Sequence, residues 1–314
     1  MRQRTAAYVS FRRRLICGVL AALVMAFAAP EARSGDTSRI VSIGGAVTEI
    51  LYALGKEQKI VGVDTTSLYP PRAAREKPSV GYMRQLSAEG VLSLRPNLIL
   101  AIQGAGPPAT MAVLKAAKVP MVVVPDNFSG EGILDKIRTV ANAVGVPGRG
   151  ECLVKKVAAD LDALAKLKAA IGKKRRVLFV LSFLNGRAMA AGHGTAADGI
   201  IRMAGAVNAI DSFHGYKAIS NEAVIAAKPD VVLAMQRGGP GNVTADTVFQ
   251  QPAFAMTPAA AKHAFVAMEG LYLLGFGPRS AQAARDLAVT LYPGLNAAPL
   301  PSAGKDTLAR ACAS

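Results

Sequence analysis

Apolar residues fall along the chain in two alternating patterns, short unbroken runs and runs spaced by three and four. Ile40-Val41-Ser42-Ile43, after Arg39, is rich in β-branched residues, and Gly44-Gly45 turns the chain. Thr48 to Leu54 has helical spacing and stops at Gly55, and Ile60-Val61-Gly62-Val63 reads as a second short strand. Asn97 to Ala101 and Met121 to Val124 follow as buried strands. This alternation predicts a parallel or mixed sheet covered by helices.

The most informative pattern is a repeat. The segment from Gln85 to Ala101 returns 133 positions later, without a gap, as Ala218 to Ala234. Ser87, Glu89, Val91, Pro96, Leu100 and Ala101 match Ser220, Glu222, Val224, Pro229, Leu233 and Ala234, and Arg95 and Asn97 become Lys228 and Asp230. Each copy predicts a helix with serine near its N-cap and glutamate in its first turn, where the helix dipole favours a carboxylate. The helix then stops at a basic-Pro-amide/acid turn and leads into an apolar strand. Two copies at so long a period predict two similar lobes, since a solenoid needs shorter and more numerous units.

Between the copies, Glu151 to Ala170 carries Leu153, Val157, Leu161, Leu164 and Leu167 among charged residues, the stripe of one long amphipathic helix. Val177 to Leu181 opens the second half as a buried strand, and Ser280 to Leu291 closes it as a helix after Gly275-Phe276-Gly277-Pro278-Arg279. The expected fold is therefore α/β: two similar lobes, each a mostly parallel central sheet flanked by helices, joined by one long α-helix. The lobes are placed at 39–147 and 173–296, the linking helix at 148–172 and a tail at 297–314. A single helical connector limits hinge motion.

The first residues read as a targeting device. Five arginines precede an apolar run from Leu15 to Ala29, and Ala26-Phe27-Ala28 is a small-x-small cleavage pattern, so a signal peptide over 1–28 and export to the periplasm are expected. Cys17 begins the apolar run instead of ending it, which argues against lipidation. Removing those five arginines and no acid takes the formal charge from +16 to +11. The positive charge is scattered and not interleaved with aromatics, which suits an anionic small ligand or a charged docking surface better than nucleic acid. Cys152 and Cys312 make no metal or redox spacing and are expected to form at most one incidental bridge.

Enzymatic and metal-centre readings find little support. Gly44-Gly45 lacks the third glycine and the ribose-binding acid of a dinucleotide fingerprint. Three scattered histidines do not make a zinc or manganese site. No Cys-x-x-Cys-His is present for covalent haem attachment.

The segment Asp64-Thr65-Thr66-Ser67-Leu68-Tyr69-Pro70-Pro71, followed by Val80-Gly81-Tyr82-Met83-Arg84-Gln85-Leu86, resembles the periplasmic haem-binding proteins that serve haem ABC importers. The repeat resembles the wider class of importer binding proteins with one linking helix, which includes cobalamin and siderophore binders. The similarity runs from about Arg39 to Leu291. It implies a monomer with no catalytic cofactor that carries haem b (hemin) to an ABC permease and, through it, to the ATPase. A ferric siderophore or a corrinoid on the same fold is the alternative.

The resemblance also assigns roles. Tyr69 is similar in position to the axial iron ligand, and a phenolate oxygen is a hard anionic donor suited to ferric iron. Arg72 and Arg84 could support the phenolate or pair with propionates, for which a planar guanidinium is suited. Tyr82 and Met83 join them in the pocket, and Tyr216, Lys217 and Arg237 would supply the opposite wall. Some such binders place a second-lobe histidine on the iron. His193 is the nearest here, but ligation by tyrosine alone is the expectation. Glu89 and Glu222 are similar to glutamates that engage permease arginines, one on each lobe, which orients the protein over a two-subunit pore.

Overall fold

The computed structural model describes residues 37–237, 241–302 and 312, so the expected leader at 1–28 and much of the tail lie outside the described residues. The first lobe is built on a four-stranded, all-parallel sheet in the order β2-β1-β3-β4. Its strands are β1 (Ile40–Ile43), β2 (Ile60–Val63), β3 (Leu98–Ile102) and β4 (Met121–Val124). The central pair, β1 and β3, is buried throughout, as parallel strands covered on both faces must be. Helices α1 (Gly45–Ala53), α2 (Pro71–Glu76), α3 (Ala88–Leu92), α4 (Pro108–Ala116) and α5 (Gly130–Ala143) connect and cover the strands.

The connector is α6 (Pro147–Ala169), whose 23 residues span about 35 Å at the α-helical rise. It begins before the expected Glu151 because Pro147 sits in its first turn, where the missing N–H costs nothing. The apolar stripe is as expected: Leu153, Val157 and Leu164 are buried, and Leu161 and Leu167 flank them. Cys152 on this helix is bonded to Cys312, Sγ to Sγ 2.11 Å, which ties the C-terminal segment to the connector.

The second lobe contains α7 (Ala196–Met203), α8 (Asn221–Ala227), α9 (Ala245–Phe249), α10 (Pro252–Ala255), α11 (Pro258–Ala261), α12 (Gly270–Leu274) and α13 (Ser280–Leu291). Its sheet has the order β10-β9-β5-β6-β8, with a short β7 (Val207–Asn208) also on β5. Strands β5 (Arg176–Leu184), β9 (Val231–Gln236) and β10 (Phe265–Glu269) run parallel. In contrast, β6 (Arg187–Ala191) and β8 (Tyr216–Ala218) add antiparallel pairs, so this sheet is mixed. The cause is local. Asn185 and Gly186 both have positive φ (49° and 74°), the two-residue turn that folds β5 back into a hairpin.

The sequence repeat has a shared anatomy. Ser87 Oγ accepts from the Gly90 N–H at the start of α3, and Ser220 Oγ accepts from the Ala223 N–H at the start of α8. Left-handed basic residues follow both helices: Lys228 caps the end of α8 at φ 41°, and Arg95 lies three residues past α3 at φ 47°. The Asn97 Oδ1 then accepts from the Arg39 N–H at 3.0 Å, and the Asp230 Oδ2 accepts from the Arg176 N–H at 2.8 Å. Both turns are thereby pinned to the start of the first strand of the lobe, at Arg39 just before β1 and at Arg176, the first residue of β5.

Three apolar clusters hold the fold. One faces only the first lobe and one only the second, but the third runs through both, joining Val47 and Ile50 of α1 to Leu153 of α6, Phe179 of β5 and Leu287 of α13. The lobes therefore share a core at the connector side.

Candidate functional site

At the C-terminal end of β2 the chain enters Asp64-Thr65-Thr66-Ser67. Asp64 is buried, and its carboxylate is filled with donors. Oδ1 accepts from the Gly44 N–H at 2.8 Å and the Ser67 hydroxyl at 2.9 Å; Oδ2 accepts from the Thr66 N–H at 2.9 Å and its hydroxyl at 2.6 Å. The Thr66 Oγ1 accepts in turn from the Gly45 N–H at 2.9 Å. Ser42, Thr48 and Ser67 complete a buried hydroxyl chain with links of 2.7 Å. A buried carboxylate is tolerable only when so satisfied, and the result is a loop fixed against β1 and α1.

Gly45 is required where this hub meets the second lobe. A Cβ there would lie 2.3 Å from the Thr66 carbonyl oxygen and 2.5 Å from Leu271 Cδ1. The loop that carries Tyr82 is joined to the hub, because the Thr65 N–H donates to the Gly81 carbonyl at 3.0 Å. The two segments of the sequence motif are thus one surface. Leu68 and Tyr82 are exposed on it, at 46% and 43%, and Met83 is half-buried.

Tyr69 leaves this hub half-buried. Hydrogen bonding separates it from Tyr272 and Tyr292. The Tyr272 hydroxyl donates to Asp286 at 2.9 Å, and the Tyr292 hydroxyl bonds Gly205 and Arg175. Tyr52 is buried in α1, its hydroxyl also without a hydrogen-bond partner. Tyr216 packs on Phe179. Burial pushes the Tyr216 phenol up, and the neighbouring Ala197 backbone, Thr195 and the charge of Arg84 from the first lobe oppose it. Among the described residues the Tyr69 hydroxyl makes no hydrogen bond, and it shares that property, on this surface, with Tyr82.

The face of the Tyr69 ring is covered by a residue that the sequence did not single out. The guanidinium carbon of Arg279, just before α13, lies 3.5 Å from the ring centroid. Arg279 is held by Glu49 of α1 through a fork, Nε to Oε1 and Nη2 to Oε2, both at 3.0 Å, and its own N–H donates to Oε1 at 3.2 Å. The two side chains are 17% and 6% exposed. Burial pushes the Glu49 carboxyl up, and the charge and hydrogen bonds of Arg279 oppose it.

Behind this pair Lys136 of α5, wholly buried, donates to Asp126 at 2.6 Å and to the Phe276 carbonyl at 3.0 Å. Burial pulls the Lys136 amine down, while Asp126 and, more remotely, Glu49 favour its charge. A chain of alternating charge, Asp126, Lys136, Glu49, Arg279, therefore leads to Tyr69 and seams the Phe276-to-Arg279 segment of the second lobe to the first. A lone Glu49 within the apolar run Ala46 to Leu54 was the available signal. Nothing in sequence spacing links it to an arginine 230 residues away.

The other candidates are dispersed. Arg72 turns to Glu57 at 3.6 Å and lies over the Tyr52 ring. Arg84, Lys217 and Arg237 are exposed, with Lys217 over Phe213 at 5.3 Å. His193 is exposed and stacks edge-on against His214, ring centroids 5.2 Å apart. Among the described residues no three His, Cys, Asp or Glu side chains converge as a metal ion would require. Glu89 and Glu222 are exposed in the first turns of α3 and α8, and backbone N–H and Ser220 bonding pull the Glu222 carboxyl down.

A two-lobed α/β fold, a single connecting helix and a loop surface at the strand ends define a ligand-capturing protein, and residues 40–270 match the family model described as periplasmic binding protein. The chain belongs to that family. It is similar to the periplasmic heme-binding protein BhuT, solved in complex with two hemes, at 41% identity and a TM-score of 0.76, covering 81% of this chain and 97% of that one. The periplasmic heme-binding protein RhuT from Roseiflexus sp. RS-1, solved in apo form, gives 41% identity and a TM-score of 0.77 over 82% and 98%. A vitamin B12-binding protein of Vibrio cholerae is 28% identical over 206 residues, 65% of this chain and 73% of its own.

Proposed function

We propose that this protein captures haem between its lobes, with the Tyr69 phenolate as ligand to ferric iron, and delivers it to the permease of an ABC importer. The observation that carries the reading is the half-buried Tyr69, its hydroxyl unbonded, on a loop made rigid by the Asp64 hub. A ligand held in place before the iron arrives loses little freedom on binding. Exposed Leu68 and Tyr82 beside it offer apolar area to a porphyrin face, and Arg84, Lys217 and Arg237 are the cations available to its carboxylates. Arg72 is already engaged by Glu57, which leaves it a lesser part. The 41% identity to two heme-binding proteins over nearly their whole length supports the same ligand here.

The rest of the reading follows from that assignment. The leader at 1–28 directs the chain to the periplasm and is removed, and the monomer docks through Glu89 and Glu222, one per lobe. Membership in a family of binding proteins supports a carrier and not an enzyme. Corrinoid binding is the second reading, favoured by the B12-binding relatives.

The test is a hemin titration of the mature chain, residues 29–314, followed by absorption. The expected result is a saturable high-spin ferric spectrum with a phenolate-to-iron charge-transfer band. Tyr69→Ala loses the band and more than about 100-fold in affinity, beyond what changes around a ligand produce. No saturable change with hemin, together with saturable binding of cobalamin, would move the corrinoid reading to the front.

A further inference from the structure

We infer that Arg279 is a positioning residue for Tyr69: stacked on the ring and anchored by Glu49, it holds the phenol in the orientation that ferric iron takes. The inference rests on the haem reading of this site.

At 3.5 Å from the ring centroid the guanidinium lies in contact with the π-face, and at 17% exposure it does so with little competing water, the condition in which such contacts are strong. The arginine cannot swing away, since the Glu49 fork and its backbone N–H fix three of its donors. The segment behind it is fixed as well, because buried Lys136 holds the Phe276 carbonyl.

Arg279 and Tyr69 come from different lobes, so the stack forms only at the lobe separation that the seam sets. The nearer arginine in sequence, Arg72, is committed to Glu57 and Tyr52 and leaves the ring to Arg279. Groups that orient a metal ligand in this way are worth 10- to 100-fold in affinity in metal sites generally.

The experiment compares hemin with metal-free protoporphyrin IX on the full mature chain. Arg279→Met is expected to lose about 10- to 100-fold in hemin affinity and to weaken the charge-transfer band, with metal-free porphyrin affinity unchanged. In a Tyr69→Phe background the same substitution is expected to change neither affinity. Arg279→Lys keeps the charge beside Glu49 without the flat stack, so it gives an intermediate loss and serves if the methionine variant does not fold.

Equal weakening of both porphyrins would overturn the inference, since Arg279 would then be shaping the pocket or holding carboxylates. Unchanged hemin binding would overturn it too. If the wild-type chain binds neither porphyrin, the haem reading itself falls and the inference with it, a result distinct from the other two.

Discussion

The two lobes repeat one another at one end of their sheets and part company at the other. In both, a serine-capped helix is followed by a left-handed basic residue, and an amide or acid then pins the turn to the start of the first strand. At the opposite strand ends the first lobe has a short loop locked around Asp64, while the second has an antiparallel hairpin and a long excursion that ends at Arg279. The duplicated part is symmetric because both lobes need the same scaffold and, on our reading, present matching glutamates to a two-subunit permease. On the same reading, the strand-end loops differ because iron bound by Tyr69 takes its strong donor from the first lobe, and the other lobe can serve by placing a cation.

The sharpest way to break this comparison is to remove the device that only the first lobe has. Asp64→Ala leaves buried N–H and hydroxyl donors without their acceptor, and a loss of about 3 kcal/mol in urea unfolding is expected, with hemin affinity falling as Tyr69 loses its platform. Retained hemin affinity in that variant would mean that the hub does not hold the ligand loop.

A smaller effect tests the symmetry of the scaffold. Asp230→Ala removes a charged acceptor from the Arg176 N–H and should cost about 2 kcal/mol, whereas Asn97→Ala removes a neutral one from the Arg39 N–H and should cost about 1 kcal/mol. Hydrogen–deuterium exchange would show each loss confined to its own lobe. Spread of either loss into the other lobe would show that the shared core couples them more tightly than the repeat suggests.

The smallest expected change concerns the glutamates. Glu89→Ala and Glu222→Ala, singly or together, should leave the hemin titration of the purified protein unaltered while slowing haem uptake by reconstituted transporter in vesicles. Unaltered uptake by the double variant would remove the docking role.

Much of the fold was legible in the sequence because it rests on local rules. The serine caps, the glutamates of the first turns, the basic-Pro turns and the apolar stripe of the connector depend on neighbours within a few residues, and each lies where its pattern implied. Two local features were legible and passed over. Asn185-Gly186 announces the hairpin that makes the second sheet mixed, and Pro147 announces the earlier start of α6. The site was less legible. Thr65, Thr66 and Ser67 marked the right loop by resemblance, but that they and Asp64 form a buried polar hub follows only from the packing of β1, β2 and α1.

By itself, then, the sequence determined the two lobes, the single helical connector and the loop on which the ligand tyrosine is proposed to sit, since periodicity, caps and turns act within a few residues. Only the tertiary structure decided that Cys152 meets Cys312, that Arg72 is spent on Glu57, and that Arg279 is carried onto the ring of Tyr69 by Glu49. Those partners lie far apart along the chain. What brings them together is the burial of a core shared by both lobes, and burial is a sum over many contacts that no single stretch of sequence records.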